Sequence, residues 1–347
     1  MAGAGPAETC CNPDDIAHIL RRETNKGDEM RLALLGTCIV ILCFCVSCMT
    51  DGRSGMVKGP TGADLDSLWN HDDPEASETS FRRLIPDESE SVDTAFLAEL
   101  LTQIARAQGL QMKFKEAHVT LGQAESLLEE RMTRARIRYL LERGRVYNSS
   151  KEREKSEQYF VDAWNLGRKS KEDFYTVDAL HMLAIVAPAD EQLSWAEAAM
   201  DAAEKSKDER AKKWLGALYN NTGWTYHDLG EYEKALDMFE KSLAWNELHG
   251  DAARVRIARW TIARAYRSLG HLQEALDIQL ALEQEIDAEG IEPDGYVYEE
   301  IGECLLAIGR DEESKPYFKL AFEHLSKDEW MQANEAERLK RLEQLSL

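Results

Sequence analysis

The chain is poor in the residues that staple or break a fold. Eight of its 347 residues are proline, and its seven cysteines are Cys10, Cys11, Cys38, Cys43, Cys45, Cys48 and, far downstream, Cys304. Residues 63–347 thus hold one thiol and no disulfide framework, which fits a reducing compartment and leaves stability to burial. Cations are also scarce: 42 Lys and Arg face 64 Asp and Glu, a formal charge of −22. Binding a phosphate backbone needs a surplus of cations to displace counterions, so nucleic acid is excluded as the main partner. The deficit is uneven, with net −1 over residues 1–62 and net −21 over residues 63–347.

Long apolar runs are absent apart from Leu32–Met49, eighteen residues without a charge. That is at the short end of the roughly 17–25 residues that cross a bilayer. Three readings stay open. As a membrane span, with Arg21, Arg22, Lys26 and Arg31 before it and Arg53 and Lys58 after it, the run weakly places the amino terminus in the cytosol and the body across the membrane, against the thiol argument. As a signal, Met30–Cys48 ends in Val46-Ser47-Cys48 like a bacterial lipoprotein leader, though only Arg31 supplies charge and Cys45 stands where leucine is usual. In the third reading the stretch is no working segment. Acylation of Cys43, Cys45 or Cys48 is permitted only if a membrane face is real. Residues 1–62 are accordingly read as a leader, disordered outside 32–49, and the chain as cytoplasmic, with single-pass membrane association if that run is a span.

Catalytic and metal-binding patterns are missing too. Lys58-Gly59-Pro60-Thr61-Gly62 has the wrong order for a phosphate loop. The eight histidines form no His-x-x-x-His pair in the body, and Cys45/Cys48 sit in the apolar run without a second pair. Asn148-Ser149-Ser150 and Asn220-Asn221-Thr222 match the glycosylation sequon, a coincidence in a cytosolic chain. Acids such as Glu299, Glu300 and Glu303 read as a solvated helix face, and no set of nucleophile, base and orienter stands out. No cofactor, no metal and no enzymatic activity are expected.

What the chain does contain is a repeat. In Asn221–Trp245, Gly223, Tyr226, Gly230, Tyr232, Ala235 and Phe239 stand at fixed spacings. The register recurs at Gly144/Tyr147 with Phe160 and Ala163, at Ala263/Tyr266 with Gly270 and Ala275, and at Gly302 with Gly309, Phe318 and Ala321. Weaker copies fall at Ala105 with Phe114, Ala117 and Ala124, at Ala184 with Ala196 and Ala203, and at Leu65 with Ser77 and Phe81. The small-residue sites run 65, 105, 144, 184, 223, 263 and 302, in steps of 39 or 40.

G-x-x-Y on one helix followed by A-x-x-x-F on the next resembles the tetratricopeptide repeat, whose usual period is about 34 residues. A HEAT-like array is the alternative on period alone. The resemblance implies an all-α fold, an α-solenoid of antiparallel helix pairs wound into a right-handed superhelix. It implies a degenerate capping repeat over 63–95, six repeats over 96–325, and a carboxyl-terminal capping helix over 326–347 with Leu339, Leu342 and Leu345 turned inward. One hairpin cannot bury its apolar stripe, so neighbours stack into a continuous core. Gly230, Gly270 and Gly309 are placed where a left-handed residue ends a helix.

In this family the first helix of each pair lines a concave groove. Carried over residue by residue, the groove is expected to present Thr102, Arg106, Arg138, Arg145, Asn148, Asp178 and His181. Farther along come Asn220, Trp224, His227, Trp260, Arg264, Arg267, Tyr296, Glu299 and Glu303. A cationic and aromatic strip on an acidic body suits a peptide or protein segment with acidic groups, held chiefly by Trp224, Trp260, Arg264 and Arg267. The bland alternative is that these side chains pair with Glu142, Glu299 or Glu300, or lie buried between helices. The clamp that some relatives use for chaperone tails fits poorly, because Ile257 and Thr261 stand where cations belong. The expected function is a non-catalytic scaffold or adaptor. The competing reading is a helical-array enzyme or regulatory subunit with an acid–base pocket of His181, His227, Glu299 and Glu303.

Overall fold

A computed structural model describes residues 65–70, 73–86, 93–250 and 252–347; the apolar run 32–49 lies outside the described residues. No helix among these residues is long and apolar enough to cross a membrane, and none of them is in a strand. The helices are α1 (Pro74–Arg82), α2 (Thr94–Leu110), α3 (Phe114–Leu127), α4 (Thr133–Ser149), α5 (Arg153–Ser170), α6 (Asp173–Val186), α7 (Ala189–Lys205), α8 (Glu209–Lys212), α9 (Leu215–Asp228), α10 (Tyr232–His249), α11 (Ala252–Leu269), α12 (Leu272–Glu289), α13 (Gly295–Ile308), α14 (Asp311–Leu325), α15 (Glu329–Asn334) and α16 (Ala336–Leu345). They pack as successive antiparallel pairs, α2 with α3, α4 with α5, α6 with α7, α9 with α10, α11 with α12 and α13 with α14. The architecture is an α-solenoid, whose described residues fall into one unit up to Trp214 and another from Leu215 onward.

Local chemistry sets the boundaries. Asp73 accepts from the Ala76 N–H at 2.8 Å at the start of α1, Asp93 from Ala95 at 3.0 Å at the start of α2, and Asp294 from Tyr296 at 2.8 Å at the start of α13. Gly309 closes α13 at φ +87°, a left-handed conformation that costs a side-chain-bearing residue roughly 1–2 kcal/mol.

The small residue of each first helix sets how closely the pair can approach. A Cβ built on Gly144 would meet Phe160 Cε1 at 2.6 Å, on Gly223 would meet Phe239 Cε1 at 2.5 Å, and on Gly302 would meet Phe318 Cε1 at 2.9 Å. Each phenylalanine sets one edge of its ring against bare backbone and is wholly buried. In the amino-terminal unit Ile137 and Leu141 of α4, Phe160 and Ala163 of α5, and Tyr175, Ala179 and Leu183 of α6 form one apolar cluster. In the carboxyl-terminal unit the buried carbon comes from Trp224, Phe239, Ala263, Ala275, Ile301 and Phe318.

Three local features depart from a uniform repeat. Helix α6 stops at Val186, before Pro188, and its end is capped from α5. Arg153 donates from Nε to the Val186 carbonyl at 2.7 Å, and from Nη2 to those of Ile185 at 2.7 Å and Ala187 at 2.9 Å. A four-residue helix, α8, precedes α9. The carboxyl-terminal segment, expected as one helix, breaks at Glu335 into α15 and α16. Leu339 and Leu342 are buried, and Arg341, still partly exposed, pairs with Glu303.

Candidate partner-binding wall

The residues expected to line a groove all lie on first helices, α2, α4 and α6 in one unit and α9, α11 and α13 in the other. Their arginines are not free to meet a partner. In the amino-terminal unit Glu142 of α4 accepts from Arg106 of α2 at 3.1 Å and from Arg145 of its own helix at 2.6 Å, and Arg145 also reaches Asp178 of α6. Arg138 pairs with Asp66 at 2.7 Å, and Arg134 grips Glu99 through both carboxylate oxygens at 2.9 and 3.0 Å. The two acids hold the Arg145 guanidinium charged against the cost of its burial.

The carboxyl-terminal unit repeats the device. Glu300 of α13 accepts two bonds from Arg267 of α11, at 2.8 and 3.0 Å, and lies 3.2 Å from Arg264 Nε. Burial alone would raise the Glu300 carboxyl, but Arg267 and Arg264 outweigh it and hold it at about 2. Arg338 of α16 grips Glu299 at 2.8 and 2.6 Å, and Arg341 grips Glu303. Arg106 and Arg264 each stand one place after the small residue of a first helix, and Glu142 and Glu300 two places before that of the next. The same cross-link is therefore made at equivalent positions. The bidentate partners Arg338 and Arg341 escaped the sequence reading because α16 lies outside the repeat pattern.

The tryptophans are likewise not on an open surface, contrary to their expected role as ready anchors. Trp224 is 1% exposed and Trp260 5%. Their rings and that of Tyr296 step across α9, α11 and α13 with centroids 5.9 and 6.2 Å apart, and Trp260 Nε1 donates to the Tyr296 carbonyl at 3.3 Å. Tyr296 in turn donates to Met331 Sδ at 3.5 Å and lies under the Arg338 guanidinium. Large rings in contact gain more from each other than from water, which is why the chain covers them itself.

Asn148 and His181 are half-buried. The His181 ring lies 5.2 Å from that of Trp214, and burial pushes it down to about 4, with Asp178 opposing and Arg145 adding to the shift. Asn220 and His227 are buried, and His227 Nε2 meets Ser268 Oγ at 2.8 Å. Burial brings His227 to about 4 as well, and Arg264 contributes. Of the residues named for an acid–base pocket in the carboxyl-terminal unit, Glu299 pairs with Arg338, Glu303 with Arg341, and His227 Nε2 with Ser268.

The tetratricopeptide repeat family model matches residues 216–247, which are α9 and most of α10. No curated protein matches the chain in sequence. Among solved structures, it is similar to apo RapI, at 13% identity and a TM-score of 0.62 over 77% of this chain and 76% of that one. It is also similar to a signal transduction ATPase with numerous domains from Pyrococcus horikoshii, which carries a tetratricopeptide repeat sensor, at 15% identity and a TM-score of 0.60; the match covers 78% of this chain but 41% of that one. A third similarity is to NprR in complex with its cognate peptide NprX, at 15% identity and a TM-score of 0.51, over 81% of each chain. Residues 216–247 thus match one tetratricopeptide repeat, and the fold is a helical-repeat solenoid of the same kind.

Proposed function

We propose that the chain is a non-catalytic scaffold that takes a peptide or protein segment along its first helices. The observation that carries this reading is the cross-linking of those helices by Arg106–Glu142, Arg145–Asp178 and Arg264–Glu300, with Arg338 of α16 holding Glu299 of α13. Side chains tied into pairs lose little further freedom when a partner arrives, so such a wall is preorganised for binding. NprR, which shares the fold, was solved with a peptide bound, and that supports a partner of the same kind here. A partner with acidic groups has to compete with Glu142 for Arg145 and with Glu300 for Arg264 and Arg267, so the wall favours a segment that leaves those pairs intact.

A photo-crosslinking residue at Asn148 or His181, on first helices, should capture the physiological partner from the native cell. The same residue at Val119 of α3 or Leu248 of α10, both exposed on second helices, should not. Capture from Val119 or Leu248 alone overturns the reading.

A further inference from the structure

One face of α9 holds polar atoms that the chain itself leaves unmatched. Asn220, Trp224 and His227 stand at i, i+4 and i+7, a spacing that puts them on one side of a helix, and they are 7%, 1% and 5% exposed. Asn220 Oδ1, Trp224 Nε1 and His227 Nδ1 have no hydrogen-bond partner. Three such groups in one stripe are unusual, because nearly all buried polar atoms in folded proteins are paired. On the other first helices polar groups are paired across helix boundaries, as in Arg267–Glu300 and Glu299–Arg338, and the unmatched atoms there, Arg106 Nε, Glu142 Oε2 and Arg256 Nε, belong to side chains held in ion pairs through their other atoms.

The unmatched set is uncharged and of mixed character. The asparagine oxygen accepts, the indole N–H donates, and burial holds His227 neutral at neutral pH. Its other nitrogen is engaged by Ser268, which also receives Arg264 Nη1 at 3.3 Å and donates to the Arg264 carbonyl at 3.2 Å. A carboxylate would satisfy the indole but would face the asparagine oxygen, acceptor against acceptor. An ammonium would do the reverse. A neutral amide supplies one N–H and one C=O together.

We propose that Asn220, Trp224 and His227 form a recognition site for an uncharged amide, whose N–H reaches the Asn220 oxygen and whose carbonyl reaches the Trp224 indole. The proposal rests on the scaffold reading and specifies the chemistry by which a partner is held at α9. Such an amide comes either from an Asn or Gln side chain or from the main chain of an extended segment. The stripe is covered in this structure by the Phe239 and Trp260 rings against Trp224, so a ligand enters as these side chains part. The unmade hydrogen bonds favour that opening, since burying a donor or acceptor without a partner is costly.

The test follows the indole N–H of Trp224 by NMR in the full chain labelled with ¹⁵N-tryptophan. The resonance is assigned by its loss in Trp224→Phe or, if that variant fails to fold, by through-bond experiments. Acetamide, N-methylacetamide and acetate are titrated in parallel. A saturable shift with acetamide alone identifies a side-chain source, and one with N-methylacetamide a main-chain source. In either case Asn220→Leu should weaken binding by roughly fivefold or more, and acetate should be without effect. A silent indole, or a response to acetate as strong as to the amides, overturns the proposal. If the indole is silent while crosslinks still form from Asn148 or His181, the amide site fails and the scaffold reading stands.

Discussion

Glu300 is the residue on which most of the carboxyl-terminal unit's internal charge turns. It pairs with Arg264, which is buried, and with Arg267, which is half-buried, and removing it takes away the acid that balances both. Glu300→Gln should therefore cost about 3–5 kcal/mol, the range for breaking a buried pair by losing one partner, measurable by urea unfolding at neutral pH. Folding lowers this carboxyl from 4.5 to about 2, so its contribution is complete above about pH 4.5 and is lost as pH falls toward 2. His181 and His227 have depressed values near 4, so both resist protonation in the fold and stability should already fall as pH drops from about 6.5. Glu300→Gln should flatten the profile below pH 4.5 and leave the histidine region unchanged; a steep loss persisting there would mean that other carboxylates carry it. That arginines and tryptophans gather on the first helices was legible from the repeat register. Their pairing with Glu142, Glu299 or Glu300 stood only as the alternative, because choosing it needs charges one repeat apart, Arg106 with Glu142 and Arg264 with Glu300, to be compared place by place between copies. Register and residue type together made Trp224 an expected anchor, but neither distinguishes a ring that meets a partner from one that meets Trp260.

At the scale of the helix pair, the fold rests on a bare backbone facing a ring. Gly144→Ala adds a Cβ that would sit 2.6 Å from Phe160 Cε1, and overpacking of this kind costs about 1–3 kcal/mol. The cost should be relieved in the double variant with Phe160→Leu, which vacates the ring's edge; thermal unfolding of the two single variants and the double checks this by a coupling of opposite sign to the single effects. Simple additivity would mean that the clash is absorbed elsewhere. This contact explains why the fold was readable: a glycine and a phenylalanine at a fixed separation are the two halves of one packing event, made at Gly144/Phe160, Gly223/Phe239 and Gly302/Phe318, in every second copy of the 39- or 40-residue register. The end of α6 was marked by Pro188, but its capping by Arg153 was not, since an arginine at the start of α5 has no local relation to carbonyls more than thirty residues away. The break at Glu335 carries no glycine or proline to announce it. It arises where α16 turns to bring Leu339 and Leu342 inward and to set Arg338 and Arg341 against Glu299 and Glu303.

For the molecule as a whole, stacking of pairs makes stability a sum of repeat terms and nearest-neighbour interfaces, not the property of one central core. Each described unit is built this way, and damage should stay near where it is done. Phe318, wholly buried in α14 beneath Gly302, offers the sharpest test, since Phe318→Ala leaves a cavity worth about 3–5 kcal/mol. Hydrogen exchange read by mass spectrometry should show protection falling most in α13 and α14, less in α11 and α12, and least in α2 to α5. In a chain of coupled repeats, the free energy to open a segment depends on its own term and those of its neighbours. The ion pairs from Arg264 and Arg267 to Glu300 join α11 to α13, so the loss should reach α11 before it reaches α9. A uniform fall in protection from Thr94 to Leu345 would instead describe a single cooperative block, and the repeat-by-repeat account of stability would then be wrong even though the helix pairs are as described.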